Sequence, residues 1–264
     1  MHWEPIITNQ VPTRAGRLEY ARAGEGAPAV VLINGAGGPI EGWSRVYHPI
    51  ARETTVFAYN RFGMSQSDAP SVPQDGRAVV EALRELLAAV GVEPPYVLVG
   101  HSIGGLYANL FARCHPDETA GVVLLDASHP SDLDLDAHQS GFVRAVNGWL
   151  GRLKRPSPSA DLDEIHHVRA TAAQIAEAPA FPDVPLIVVS GGKKPWMMPE
   201  PLYQLRATHQ HDLARLSPLG ERRVASRSGH FPQLSEPDLV LEAIRACLDR
   251  ARQRSAWRDA KGAL

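Results

Sequence analysis

The chain has 264 residues, and its 27 lysines and arginines against 29 aspartates and glutamates leave a formal charge of −2. That balance excludes a global positive field able to draw nucleic acid or an acidic membrane surface, and no stretch reaches the ~18 uninterrupted apolar residues of a membrane-spanning helix. The length allows one large α/β domain or two small ones, with a sizeable buried core either way.

The cysteines, Cys114 and Cys247, both fall on apolar helix faces, which suits buried reduced thiols better than a disulfide framework. The start of the chain, Met1-His2-Trp3-Glu4-Pro5, lacks a basic region followed by an apolar run. The expectation is a cytoplasmic protein.

Residues 5–23 read as one or two modest strands, with Arg17-Leu18-Glu19-Tyr20-Ala21-Arg22 alternating polar and apolar like a half-exposed antiparallel edge. Gly24-Glu25-Gly26 then turns the chain. Ala29-Val30-Val31-Leu32-Ile33 is a continuous apolar run, the pattern of a strand covered on both faces, and it ends in the loop Asn34-Gly35-Ala36-Gly37-Gly38-Pro39. A second such unit, residues 54–59, closes in Asn60-Arg61-Phe62-Gly63-Met64-Ser65. Val79, Leu83, Leu86, Leu87 and Val90 then recur at helical spacing, and Gly91 stops that helix.

Pro94-Pro95 leads into another β-branched run, which stops at Gly100-His101-Ser102-Ile103-Gly104. Beyond it Ile103, Leu106, Tyr107, Leu110, Phe111 and Cys114 lie on one face of a helix. This is a G-x-S-x-G nucleophile elbow in its required context of strand before and helix after. A serine displayed on so sharp a turn has an unfavourable backbone, and glycine at both flanks removes the clashes that side chains there would make. The helix points its first N–H groups toward the serine, so the N–H of Ile103 is placed to stabilise an oxyanion.

Gly121-Val122-Val123-Leu124-Leu125-Asp126 reads as a further buried strand ending in a carboxylate. Residues 131–182 contain no strand-like run. Phe142, Val146, Trp149, Leu150 and Leu153 predict one amphipathic helix there, Ile165, Val168, Ala172 and Ile175 another, and Arg155-Pro156-Ser157-Pro158-Ser159 separates them. Strand character returns at Val184–Val189, followed by Ser190-Gly191-Gly192; a helix is expected from Pro199 to Leu216 and a short strand near Arg223-Val224-Ala225. The last helix starts at Ser235-Glu236-Pro237-Asp238, and residues from about 252 read as a polar tail.

Strands alternating with helices imply an α/β fold, a mainly parallel sheet covered by helices on both faces. The chain is expected to form one domain over 1–264, with a core of 1–130 and 183–264 and a small helical cap at about 131–182, inserted after the Asp126 strand over the sheet edge where such sheets bind ligands.

Four loops, Asn34–Pro39, Gly100–Gly104, Asp126–Pro130 and Ser228-Gly229-His230-Phe231, each follow or nearly follow a strand and so gather at one edge. In these loops, in the Tyr59–Ser65 turn, and in the late Gly-His followed by Pro-Asp-Leu-Val, the sequence resembles the α/β-hydrolase superfamily over nearly its whole length. The resemblance implies that Ser102 is the nucleophile and His230 its general base, because a serine hydroxyl needs a neutral imidazole to take its proton. His101 beside it is expected to be structural.

Many relatives carry the acid in a Gly-x-Asp turn after the strand equivalent to 185–190, but here that turn reads Gly191-Gly192-Lys193-Lys194. Similar enzymes place the acid at the end of the preceding strand, which points to Asp126, in the serine–acid–histidine order of the superfamily. Asp132 and Glu200 remain as alternatives, whereas Asp183 precedes its strand and lies at the wrong edge. The oxyanion hole implied by the resemblance combines the N–H of Ile103 with one from the 34–39 loop, that of Ala36. Relatives usually have histidine where this chain has Asn34, whose amide could hold the loop or contact substrate.

His209-x-His211 does not read as a metal site, because residues two apart on a helix face different ways; a solvated helix face is expected. No metal or other cofactor is implied. Arg152, Lys154 and Arg155 form a small basic cluster without interleaved aromatics and so read as exposed surface. Phe62, Phe142, Trp149, Trp196 and Met197 are large apolar groups near the expected mouth, where those facing the cleft would favour an apolar substrate. The expected activity is hydrolysis of a small or medium, largely apolar ester, thioester or lactone through an acyl-enzyme on Ser102, by a monomer or homodimer without nucleic-acid or membrane partners. Amide and carbon–carbon bond hydrolysis use the same constellation, and a binding protein with little turnover is the contrasting alternative.

Overall fold

The computed structural model describes residues 4–132, 162–196 and 198–262. Eight strands form one sheet: β1 (Asn9–Thr13), β2 (Gly16–Ala23), β3 (Ala29–Ile33), β4 (Val56–Asn60), β5 (Tyr96–His101), β6 (Thr119–Leu125), β7 (Leu186–Gly191) and β8 (Gly220–Ala225), in the order β1-β2-β4-β3-β5-β6-β7-β8. β1 and β2 form an antiparallel hairpin that joins β4 antiparallel, and the other six strands run parallel. The alternating segment 17–22 is thus antiparallel as expected, but β1 takes the edge and β2 lies inside it.

The described helices are α1 (Tyr47–Ala51), α2 (Gly76–Ala89), α3 (Gly104–Cys114), α4 (Val168–Glu177), α5 (Glu200–Ala214), α6 (Pro232–Ser235) and α7 (Pro237–Gly262). The continuous apolar runs of β3 and β4 are buried throughout, as strands sandwiched between helices must be. One face is covered by α2, α3 and α4 through Leu83, Leu87, Leu106, Phe111 and Ile175. The other is covered by α1 and α7 through Ile50, Val240, Ile244 and Cys247. In α2, Asp75 caps the first turn by accepting from the N–H of Ala78 at 3.0 Å, and Gly91 follows the helix at φ +65°. Its buried Val79, Leu83, Leu86 and Leu87 each contribute on the order of 1.5–3 kcal/mol over exposure.

Several expectations change. Helix α4, the second helix expected in the cap, packs against α2 and α3 on the face of the sheet. Its approach is close: a Cβ on Gly76 would meet Leu110 at 2.7 Å and Thr171 at 2.8 Å. The first expected cap helix, with Phe142 and Trp149, lies outside the described residues. Cys114 is exposed rather than buried, at the last position of α3, whereas Cys247 is buried under β6; both are free thiols. The expected polar tail is helix as far as Gly262, with Arg252 donating to the carbonyl of Ala27 and Arg254 to that of Asp183. No described helix is long and apolar enough to cross a membrane.

Candidate active site

The parallel strands β3, β5, β6 and β7 bring their following loops to one edge, and Ser102 stands there between β5 and α3. It holds φ +54°, a left-handed backbone that costs a non-glycine residue about 1–2 kcal/mol. The turn is held from both sides. Ser102 donates its N–H to Leu125 at 3.1 Å, and its carbonyl accepts from Gly105 at 2.9 Å and Ser128 at 3.0 Å. The flanking glycines are required sterically: a Cβ on Gly100 would lie 2.5 Å from the carbonyl oxygen of Gly104, and one on Gly104 2.3 Å from that of Ile33.

His230 arrives from the loop after β8 and places Nε2 3.0 Å from Ser102 Oγ, while its Nδ1 lies 2.7 Å from Asp126 Oδ2. An ionised carboxylate only accepts, so the imidazole proton sits on Nδ1 and Nε2 is left as an acceptor facing the Ser102 hydroxyl. Asp126 follows β6 at φ +41° and donates its own N–H to Val189 at 2.7 Å. Oδ1 accepts from the N–H of Gly191 at 3.0 Å, and Oδ2 also accepts from Arg206 Nη2 at 2.7 Å. Burial alone would raise the carboxyl's pKa, but the Arg206 charge, the His230 hydrogen bond and the Gly191 N–H outweigh it and hold Asp126 well below the usual carboxylate range.

The alternative acids go elsewhere. Asp132 pairs with His209 Nδ1 at 2.5 Å, Glu200 pairs with Lys194 on the surface at 2.8 Å, and Asp183 precedes β7. His209 is therefore buried on Asp132 rather than on a solvated helix face; only His211 is exposed. Among the described residues no cluster of three or more His, Cys, Asp or Glu side chains is disposed to hold a metal ion.

His101 is buried and lies beside the His230 ring, with centroids 4.8 Å apart. Its Nε2 donates to the backbone carbonyl of His230 at 2.7 Å. Burial, and after it the neighbouring His230, hold its pKa down at about 3, so it serves as a neutral prop for the His230 backbone.

The loop after β3 passes directly over the serine: a Cβ on Gly35 would lie 3.1 Å from Ser102 Cβ and 2.8 Å from His101 Nδ1. The backbone N–H groups of Ala36 and Ile103 meet no acceptor among the described residues. Asn34 is 3% exposed at the base of this loop, and its Nδ2 has no hydrogen-bond partner there. Arg61, from the turn after β4, donates to the carbonyls of Asn34 and Gly35 at 2.8 and 2.7 Å.

The apolar residues expected at the mouth divide. Phe62 is buried in the core, seated over Gly16 where a Cβ would come within 3.2 Å of its ring, and does not supply cleft surface. Trp196 is 89% exposed on the turn after β7. Phe142, Trp149 and Met197 lie outside the described residues. Arg206, Arg61 and Glu164, which contacts both Arg61 and Gly37, had no assigned role in the sequence; their partners lie 26 to 127 residues away along the chain.

A sequence profile described as alpha/beta hydrolase fold matches residues 28–162. An uncharacterized protein of Schizosaccharomyces pombe is 39% identical over 115 residues, 43% of this chain and 22% of that protein. The chain spans 22–42% of the length of the first curated relatives it matches. Among solved structures, a thermophilic esterase from Thermogutta terrifontis superposes with a TM-score of 0.64 at 22% identity, covering 93% of this chain and 99% of that one. Est816, described as an N-acyl homoserine lactone degrading enzyme, gives 0.65 at 21%, covering 90% and 99%. These structures share the fold.

Proposed function

From the premise that this chain belongs to the alpha/beta hydrolase fold family, we propose that it is a serine hydrolase acting on a small or medium, largely apolar carboxylic ester, thioester or lactone. The observation that carries this is the unbroken line Ser102 Oγ, His230 Nε2, His230 Nδ1, Asp126 Oδ2, at 3.0 and 2.7 Å. Ser102 attacks the carbonyl carbon while His230 takes its proton, and Asp126 stabilises the imidazolium that forms. The oxyanion is received by the N–H groups of Ile103 and Ala36, a contribution of about 10²–10³ in rate per donor. His230 then protonates the leaving alkoxide or thiolate, the acyl group stays on Ser102, and a water deprotonated by His230 releases the acid. The partly exposed Phe231, beside His230, supports an apolar acyl or alcohol group. The likeness to an esterase and to a lactone-degrading enzyme is consistent with these bond types.

Labelling by a serine-directed fluorophosphonate, with a graded series of nitrophenyl esters, tests the proposal. Wild type is expected to label and turn over, and Ser102→Ala to do neither. No labelling and no Ser102-dependent turnover across the series would overturn it.

A further inference from the structure

The oxyanion loop is gripped by an ion pair whose acidic half, Glu164, no local motif announces. Arg61 is buried, with a side chain 4% exposed, and four of its five N–H groups are engaged. Nη1 holds the carbonyl of Asn34 and Nη2 that of Gly35, while Nε and Nη2 hold the two oxygens of Glu164 at 2.5 and 3.0 Å. The same carboxylate accepts the N–H of Gly37 at 3.1 Å. The pair therefore fastens the backbone immediately before and after Ala36.

The carbonyl of Gly35 and the N–H of Ala36 are two ends of one planar peptide. In a trans peptide they point in opposite directions, so fixing the carbonyl on Arg61 aims the N–H away from the guanidinium. A cation on the carbonyl also polarises the amide, which strengthens its N–H as a donor. Glu164 completes the device. It neutralises a cation that would be costly to bury alone, and it sets the fork of Arg61 so that the remaining donors face the loop.

We infer that Arg61 and Glu164 are positioning residues for the oxyanion hole, and that Glu164 ties the chain beyond residues 133–161 to the geometry of that hole. The inference rests on the hydrolase proposal above. It adds that Glu164, on the segment that leads into α4, takes part in transition-state stabilisation without touching the substrate.

The test uses full-length Arg61→Lys, which keeps the charge but loses the planar fork, with Glu164→Gln and Glu164→Asp. Each is assayed on a nitrophenyl ester and for inhibition by a phenylboronic acid, whose tetrahedral adduct places an oxygen in the hole. Because a displacement near 1 Å costs about 10² in rate, kcat is expected to fall about 10- to 100-fold, with boronate affinity falling in parallel and KM changing little. Glu164→Asp should recover part of both. Unchanged kcat and boronate affinity in a variant that unfolds as cooperatively as wild type would overturn the inference. If Arg61→Lys does not fold, the Glu164 variants decide. If wild type is neither labelled by fluorophosphonate nor active, the hydrolase proposal fails, and amide hydrogen exchange judges the clamp by itself: faster exchange at Gly37 in Glu164→Gln supports it, and unchanged exchange overturns it.

Discussion

Arg206 and His230 share one oxygen of Asp126: the guanidinium Nη2 and the imidazole Nδ1 each lie 2.7 Å from Oδ2. The carboxylate that steadies the imidazole is thus also half of an ion pair reaching from α5. Burial would raise the Asp126 carboxyl, and the Arg206 charge is the largest effect that lowers it. Arg206→Gln is therefore expected to let that carboxyl rise toward the ordinary range and to weaken the acceptor that steadies His230, lowering kcat about 10-fold, the equivalent of one pKa unit of interaction. A folded variant with the kcat of wild type would show that Arg206 only packs against the site.

The assignment of the acid separates cleanly from its nearest rival. Asp126→Asn leaves the shape intact but presents an amide to Nδ1, and turnover should fall on the order of 10⁴. Asp132→Asn should leave turnover nearly unchanged, because Asp132 serves His209 instead. Its effect appears in stability. The Asp132 hydrogen bond raises the pKa of His209, so the pair stabilises the fold below the ordinary histidine value and loses that contribution as pH rises through the raised one. Urea unfolding should show Asp132→Asn costing more at about pH 6 than at about pH 9.

The parts of this site that were legible in the sequence are those whose chemistry is local. A serine between Gly100 and Gly104 needs those glycines because backbone carbonyls of Gly104 and Ile33 occupy the space of any Cβ, and that need is written within five residues. Asp126 was legible as a carboxylate at a strand end once the turn after β7 was seen to hold none. Arg206 and Glu164 were not, because a single charged residue on a helix or loop looks the same whether it faces water or a partner about a hundred residues away. Phe62 misled for a related reason: its neighbours in sequence lie at the site edge, but its ring turns back over the β1–β2 hairpin at Gly16. The extent of the last helix was hidden by its polarity, which arginines bonded back to Ala27 and Asp183 make compatible with a docked element.

Gly104→Ala tests the steric argument at the elbow. Its Cβ would fall 2.3 Å from the carbonyl oxygen of Ile33 and 2.6 Å from that of Asn34, both main-chain atoms that cannot swing aside. Relief requires α3 to draw away from β3, carrying Ser102 and the oxyanion loop apart. The substitution is expected to destabilise by about 3 kcal/mol and to reduce turnover of whatever folds. Urea unfolding with the midpoint of wild type would refute the tight packing.

His101 gives the fold a definite response to acid. Burial, and then the proximity of His230, hold its folded pKa at about 3, below the ordinary 6.5. Between those values the unfolded chain binds a proton that the folded protein refuses. The contribution is therefore fully present above the unfolded value and declines as pH falls toward the folded one. Over the interval from about pH 6.5 to about pH 5 this one residue should remove on the order of 2 kcal/mol of stability. His101→Gln can still donate to the carbonyl of His230 but cannot titrate. Its unfolding free energy, measured in urea across that interval, should fall less steeply than that of wild type by nearly one bound proton. Equal slopes would mean that His101 accepts a proton without unfolding, and that water reaches the underside of the candidate site.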